Sequence, residues 1–167
     1  MRIIKTLLGS AALCALLATP LVAQEGNNSI VTVVKVTGEN WFTRMEEGVK
    51  AFGDDNKDVT TRQVGPAKAD AAQQAALVQD LIAQGVGAIA IVPMDPSSLE
   101  GVLRRAQGRG IKVITHEADN LQNTLVDLEA FDNTAFGAHF NEQLATCMGG
   151  KGKWTSFVGS LGSLTHV

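Results

Sequence analysis

Residues 88–115 read AIAIVPMDPSSLEGVLRRAQGRGIKVIT, and this stretch decides the fold class. It begins with the apolar run 88–92 and ends with the β-branched run 111–115, and both runs are typical of buried strands. Between them, Asp95 and Pro96 supply a favoured N-cap and first helical residue. Apolar residues then recur at helical spacing as far as Gly108. A strand, a helix and a second strand in this order predict a right-handed βαβ unit in a parallel sheet.

Outward from this unit, the same two periodicities predict further elements. They are strands at 29–36, 59–64, 124–128 and 153–158, and helices at 41–53, 71–84 and 134–148, in addition to the helix at 96–108 within the unit. The strand at 59–64 is the most polar and fits a sheet edge. Asp70 caps the second helix, Gly85 ends it, and its predicted buried face contains Gln74 among small and apolar residues. The sequence therefore predicts an α/β fold with a doubly wound parallel sheet, plus the start of a second similar lobe.

Composition limits the function classes. The 167 residues are 45% hydrophobic and 19% charged, as in a soluble globular protein. An excess of 17 acids over 14 bases gives a net charge of −3 and argues against nucleic acid as a partner.

The amino terminus predicts export. Residues 1–23 start with basic side chains, continue through an apolar run and reach Ala23 before polar residues, as in a cleaved signal peptide. A retained membrane anchor is the less favoured alternative, because the run is short for a bilayer. Cys14 would leave with this segment. Cys147 would then either pair with a partner outside this sequence or lie buried on its helix.

Motifs for chemistry are missing. Gly85 and Gly87 precede a strand instead of following one, so no phosphate-binding loop is predicted. His116 and Glu117 lack the second histidine of a zinc helix, and Ser160 lies outside a nucleophile elbow. We therefore expect no enzyme activity, no catalytic residue, no metal site and no cofactor.

Polar and aromatic side chains instead gather where the predicted strands end, in segments 35–42, 93–95 and 116–120. Such a mixture suits sugars, because polar groups satisfy hydroxyls and a flat ring covers the apolar C–H face. Lys35 interrupts an apolar strand, and a buried ammonium needs an acceptor such as Glu117. Three residues of these segments have simpler explanations, since Phe42 fits a helix core, Asp95 fits an N-cap and Asp119 fits a turn.

The quoted segments resemble a known family. A signal peptide, then VTVVKVTGENWFTRMEEGVKAF (31–52), LVQDLIAQGVGAIAIVPMDPSSLEGVLRRAQGRGIKVITHEAD (77–119) and AFDNTAFG (130–137) are similar to type I, sugar-type periplasmic substrate-binding proteins of ABC transporters. The lysine at the end of the first strand resembles the autoinducer-2- and rhamnose-binding branch.

The resemblance implies a periplasmic protein that closes two lobes on a monosaccharide or sugar-derived signal and delivers it to a membrane permease. It implies ligand contacts from five residues, which are Lys35, Asn40, Trp41, Phe42 and Glu117. Many relatives have aspartate where this chain has Glu117, so the pocket or its ligand differs. Asp132 and Asn133 match the first hinge crossing between the lobes.

The resemblance also implies a domain plan: a signal peptide at 1–23, an N-terminal lobe at 24–130, and a hinge with an incomplete second lobe at 131–167. We thus expect a C-terminally truncated chain, a soluble monomer when complete. One alternative is the effector domain of a sugar-responsive transcription regulator, although a basic helix-turn-helix segment is missing from this sequence. An exported Rossmann-like enzyme is a third and disfavoured interpretation.

Overall fold

The computed structural model describes residues 27–118, 121–129 and 132–158. The predicted signal peptide at 1–23, Asp119, the predicted domain boundary at 130/131, Ser160 and the terminal loop from residue 159 lie outside the described residues. Among the described helices, none is both long enough and apolar enough to span a membrane.

The described residues form alternating strands and helices. In chain order they are β1 (Ser29–Val33), α1 (Asn40–Asp55), β2 (Thr60–Val64), α2 (Ala71–Gln84), β3 (Ala88–Ile91), α3 (Pro96–Gly108), β4 (Lys112–His116), β5 (Asp127–Leu128) and α4 (Asn133–Cys147). Nine of the ten predicted elements are confirmed, with ends that agree within three residues.

The strands form a parallel sheet in the order β2-β1-β3-β4-β5. Alternate residues of each strand point to opposite faces. Val31 and Val33 join the main core with α2 and α3, whereas Val34 packs with Phe42 of α1 on the other face. Helices therefore cover both faces, and the predicted doubly wound α/β fold is confirmed.

Local sequence explains where the helices begin and end. The Asp95 carboxylate accepts a hydrogen bond from the Ser97 N–H at 3.0 Å, as predicted for an N-cap at α3. Gly85 ends α2 with φ of 69°, a left-handed conformation that favours glycine. Gly87 is needed for a different reason, because a Cβ there would lie 1.7 Å from the carbonyl oxygen of Asn27.

One prediction for the last described segment is wrong. Residues 153–158 form no strand, and the side chains of Trp154 and Phe157 are exposed. A strand is stable only when it is paired, and none of the described strands pairs with this segment. Of the two alternatives for Cys147, burial on the helix is excluded: its side chain is exposed, and it forms no disulfide with a described residue. The side chains of Phe136 and Phe140 on α4 are exposed as well, and their rings stack 6.4 Å apart.

Candidate functional site

The order of the strands indicates where a ligand would bind. After β1 the chain turns to α1 on one face, and after β3 it turns to α3 on the other face. A crevice opens between neighbouring strands whose connections leave in opposite directions, at their carboxyl ends. The segments that follow Val33 and Ile91 border this crevice, and they are two of the three segments predicted from the sequence.

An ion pair spans the carboxyl edge of the sheet. The Nζ atom of Lys35, just after β1, lies 2.9 Å from Oε2 of Glu117, just after β4. Because β3 separates these two strands and neighbouring strands lie about 4.8 Å apart, two long side chains are needed to meet over the end of β3. The Lys35 side chain is 7% exposed and that of Glu117 is 19% exposed. The predicted contact between these residues, 82 positions apart in sequence, is therefore confirmed.

Glu117 has an unusual backbone conformation. Its φ is 54°, in the left-handed region that non-glycine residues rarely occupy. The N–H of the next residue, Ala118, donates to Oε1 of Glu129 at 3.0 Å, which holds this turn against the end of β5. The residue before Glu117 also contacts it, since Nε2 of His116 lies 3.8 Å from Oε1 of Glu117. The Nδ1 atom of His116 contacts the carbonyl oxygen of Leu128. Strained residues held in this way are frequent at functional sites.

The three residues of α1 that were predicted for the site differ in exposure. Asn40 and Trp41 open α1 and are exposed, Trp41 to 55%. Phe42 is 4% exposed and packs against Val34 and Val92, so its ring lies in the core, the simpler of the two explanations given above. Trp41 is thus the aromatic ring of this segment that is available to a ligand.

The residues predicted for the hinge lie at the start of α4. The Asp132 carboxylate accepts a hydrogen bond from the Ala135 N–H at 2.9 Å and caps the helix, and Asn133 is its first residue. This capping role was not predicted, although an aspartate before a helical segment is its usual sequence pattern. The hinge function of both residues stays a prediction.

Comparison with known proteins matches residues 30–167 to the family described as periplasmic binding protein domain. The chain belongs to this family. A xylitol-binding protein of Mycolicibacterium smegmatis is 34% identical over 98 residues, which are 59% of this chain and 28% of that protein. A D-ribose/D-allose-binding protein of Pseudomonas aeruginosa is 31% identical over 87 residues, which are 51% of this chain and 27% of that protein.

A solved structure supports the same family assignment. An ABC transporter solute-binding protein from Burkholderia graminis, in complex with D-arabinose, is 27% identical with a TM-score of 0.75. The match covers 86% of this chain and 49% of that protein, so this periplasmic binding protein chain spans about half the length of its solved relative. None of these relatives supports the regulator alternative.

Two carboxylates outside the pair fix other parts of this periplasmic binding protein domain. Glu100 of α3 accepts from the backbone N–H groups of Gln122 and Asn123, at 2.6 and 3.2 Å. Burial acts to raise the pKa of Glu100, but these hydrogen bonds outweigh it, and the pKa lies below the ordinary 4.5. The N–H of Gln73 donates to the Asp70 cap of α2 and lowers the pKa of Asp70.

The sequence did not predict the roles of two residues near the site. Gln74 of α2 is fully buried and bonded to the ends of two strands, and the clue to its role was a polar side chain on an otherwise apolar helix face. Glu129 holds the turn at Glu117, and no sequence pattern pointed to it. Within the described ranges, no group of three or more His, Cys, Asp or Glu side chains could hold a metal ion.

Proposed function

We propose that this protein is a solute-binding component of a sugar-type ABC transporter and binds a monosaccharide or sugar-derived polyol. The observation that carries the proposal is the Lys35–Glu117 pair at the carboxyl ends of β1 and β4, where it borders the crevice between β1 and β3. The relatives support the same class, since their names specify xylitol, D-ribose or D-allose, and a complex with D-arabinose.

The chemistry of the pair fits neighbouring hydroxyl groups. A hydroxyl both donates and accepts, so one hydroxyl donates to the carboxylate of Glu117 while its neighbour accepts from the ammonium of Lys35. The pair is neutral as a whole and favours a neutral ligand. The exposed ring of Trp41, at the start of α1, offers a flat apolar surface for the C–H face of a sugar.

Binding without chemical conversion, periplasmic location and delivery to a permease belong to the same proposal. In it, residues 24–130 form one lobe and Asp132 and Asn133 lie at the crossing to the second. The ligand favours a closed arrangement of the two lobes, and the permease recognises that arrangement. The narrower assignment to the autoinducer-2- and rhamnose-binding branch rests on the position of Lys35.

A nuclear magnetic resonance titration tests this proposal. The ¹⁵N-labelled chain is titrated with xylitol, D-ribose, D-arabinose and L-rhamnose in turn. Because the contacts come from one sheet edge, we expect a Kd of about 1–10 mM for at least one of them. The amide shifts should concentrate in segments 35–42, 93–95 and 116–118. No shift in these segments at about 100 mM of any sugar would refute the site.

Matched variants localise the contacts. Lys35→Ala should weaken binding by about tenfold, because it removes a charged hydrogen-bond donor, while Lys50→Ala changes an exposed lysine of α1 and should have no effect. Trp41→Ala should also weaken binding. Phe52→Ala is its control, since Phe52 is 50% exposed on the same helix but about 16 Å further along it. If each site variant and its control variant changed the Kd equally, the ligand would bind elsewhere.

A further inference from the structure

The side chain of Gln74 connects the carboxyl ends of two strands. It is fully buried, and its Nε2 atom donates to the carbonyl oxygens of Val34 at 3.1 Å and Val92 at 2.8 Å. Its Oε1 atom accepts from the N–H of Met94 at 2.8 Å. Both N–H groups and the oxygen of the amide are thus used within the protein.

The hydrogen bonds of Gln74 lie just beyond the last ladder bond between β1 and β3. The N–H of Val92 donates to the carbonyl oxygen of Val33 at 2.9 Å, and beyond this bond β1 and β3 separate toward α1 and α3. Parallel strands that separate leave carbonyl and N–H groups without their ladder partners, and buried backbone groups need replacements. The amide of Gln74 supplies two donors and one acceptor at the point where these two strands separate.

Only an amide of this length satisfies the three groups. A carboxylate at position 74 would place acceptors against two carbonyl oxygens, and an apolar side chain would leave all three backbone groups unsatisfied. Asparagine would keep the donors and acceptor but is one methylene shorter.

We propose that Gln74 is a positioning residue for the candidate sugar site, an inference that rests on the proposed function. Val34, which accepts from Gln74, directly precedes Lys35, and Met94 directly precedes the Asp95 cap of α3. By fixing both segments, Gln74 sets where the Lys35 ammonium lies over the end of β3, and hence how it meets Glu117.

A ligand-free experiment separates positioning from a general contribution to stability. In the full chain, the coupling between Lys35 and Glu117 is measured by a double-mutant cycle with Lys35→Met and Glu117→Gln, from urea unfolding. The cycle is repeated with Gln74→Met and Gln74→Asn, and with Gln79→Met, which changes an exposed glutamine of the same helix.

We expect the coupling, expressed as a ratio of unfolding constants, to fall by about tenfold with Gln74→Met and to stay unchanged with Gln79→Met. Gln74→Asn should lower it by less. A chain that becomes less stable with Gln74→Met or Gln74→Asn but keeps its full Lys35–Glu117 coupling would overturn the proposal.

Hydrogen exchange in the unaltered chain gives a second test that needs no variant to fold. The Met94 N–H should exchange as slowly as the ladder N–H of Val92, because the buried Gln74 oxygen holds it. Exchange of Met94 at the rate of an exposed amide would refute the bridge. Neither test contains sugar, so a titration in which none of the four sugars shifts the site amides would refute the proposed function alone. If the unaltered chain and the Gln74→Asn variant bound xylitol equally well, only the positioning role would be refuted.

Discussion

Removing the carboxylate of Glu117 should destabilise the chain much more than removing the ammonium of Lys35. Loss of one partner of a buried ion pair costs about 3–5 kcal/mol, and we take about 3 kcal/mol for Glu117→Gln because Glu117 is partly exposed. The Lys35 side chain is 7% exposed, so its charge is left in a site with little access to water.

Lys35→Met has a smaller expected cost. Methionine keeps the apolar stem of the side chain, and the remaining Glu117 is 19% exposed with His116 Nε2 at 3.8 Å. We expect a loss of about 1 kcal/mol, the scale of one hydrogen bond. The double variant Lys35→Met/Glu117→Gln contains neither charge. Its stability should resemble that of Lys35→Met alone, because the buried ammonium that needs the Glu117 carboxylate is itself absent.

Urea unfolding at neutral pH measures these free energies. Far-ultraviolet circular dichroism is the suitable probe, because Trp41 and Trp154 are both more than half exposed and would report burial poorly. If Glu117→Gln left the free energy of unfolding within about 0.5 kcal/mol of the unaltered chain, the pair would behave as a solvated surface pair and the reasoning would fail. A larger cost for Lys35→Met than for Glu117→Gln would also refute it.

Three further predictions concern the surroundings of the site. Gly87→Ala should lower the free energy of unfolding by about 3 kcal/mol, since its Cβ would overlap a backbone carbonyl oxygen, whereas Gly108→Ala has open space and should change it little; equal effects in urea unfolding would contradict this. The depressed pKa of Glu100 means that its contribution is present above pH 4.5, its ordinary pKa, and is lost as pH falls through the lower folded-state value. The difference in unfolding free energy between the unaltered chain and Glu100→Gln should therefore shrink in acid, and a constant difference would rule this out. Glu129→Ala removes the acceptor of the Ala118 N–H, so that amide should exchange about tenfold faster, and an unchanged exchange rate would show that the bond does not hold the turn.

Short-range patterns predicted the elements because each depends on neighbouring residues. Asp95 followed by Pro96 marks the start of α3 from two adjacent side chains, and Gly85 marks the end of α2 through its left-handed φ. The segment 153–158 has an apolar, strand-like pattern too, but a strand also requires a neighbour to pair with. A local pattern contains no information about that neighbour, which explains the wrong prediction.

The candidate site was predictable where a single charged residue stood in an otherwise apolar segment. Lys35 follows an apolar strand, and the cost of burying an ammonium was enough to predict a carboxylate partner at a neighbouring strand end. The φ of Glu117 and the bond from Ala118 to Glu129 were not predictable, because both depend on the path of the chain between β4 and β5.

Gln74 was predictable in its position but not in its hydrogen-bond partners. Its position on the buried face of α2 follows from helical spacing alone, whereas its partners Val34 and Met94 lie 40 and 20 residues away and become neighbours only when α2 packs on the sheet. A buried glutamine must find partners for its amide, and the nearest unmet backbone groups of a doubly wound sheet are those where strands separate. The same separation creates the ligand crevice. A polar residue on the core face of the helix that precedes β3 is therefore a clue to the site itself, because the site and the unmet groups have one topological cause.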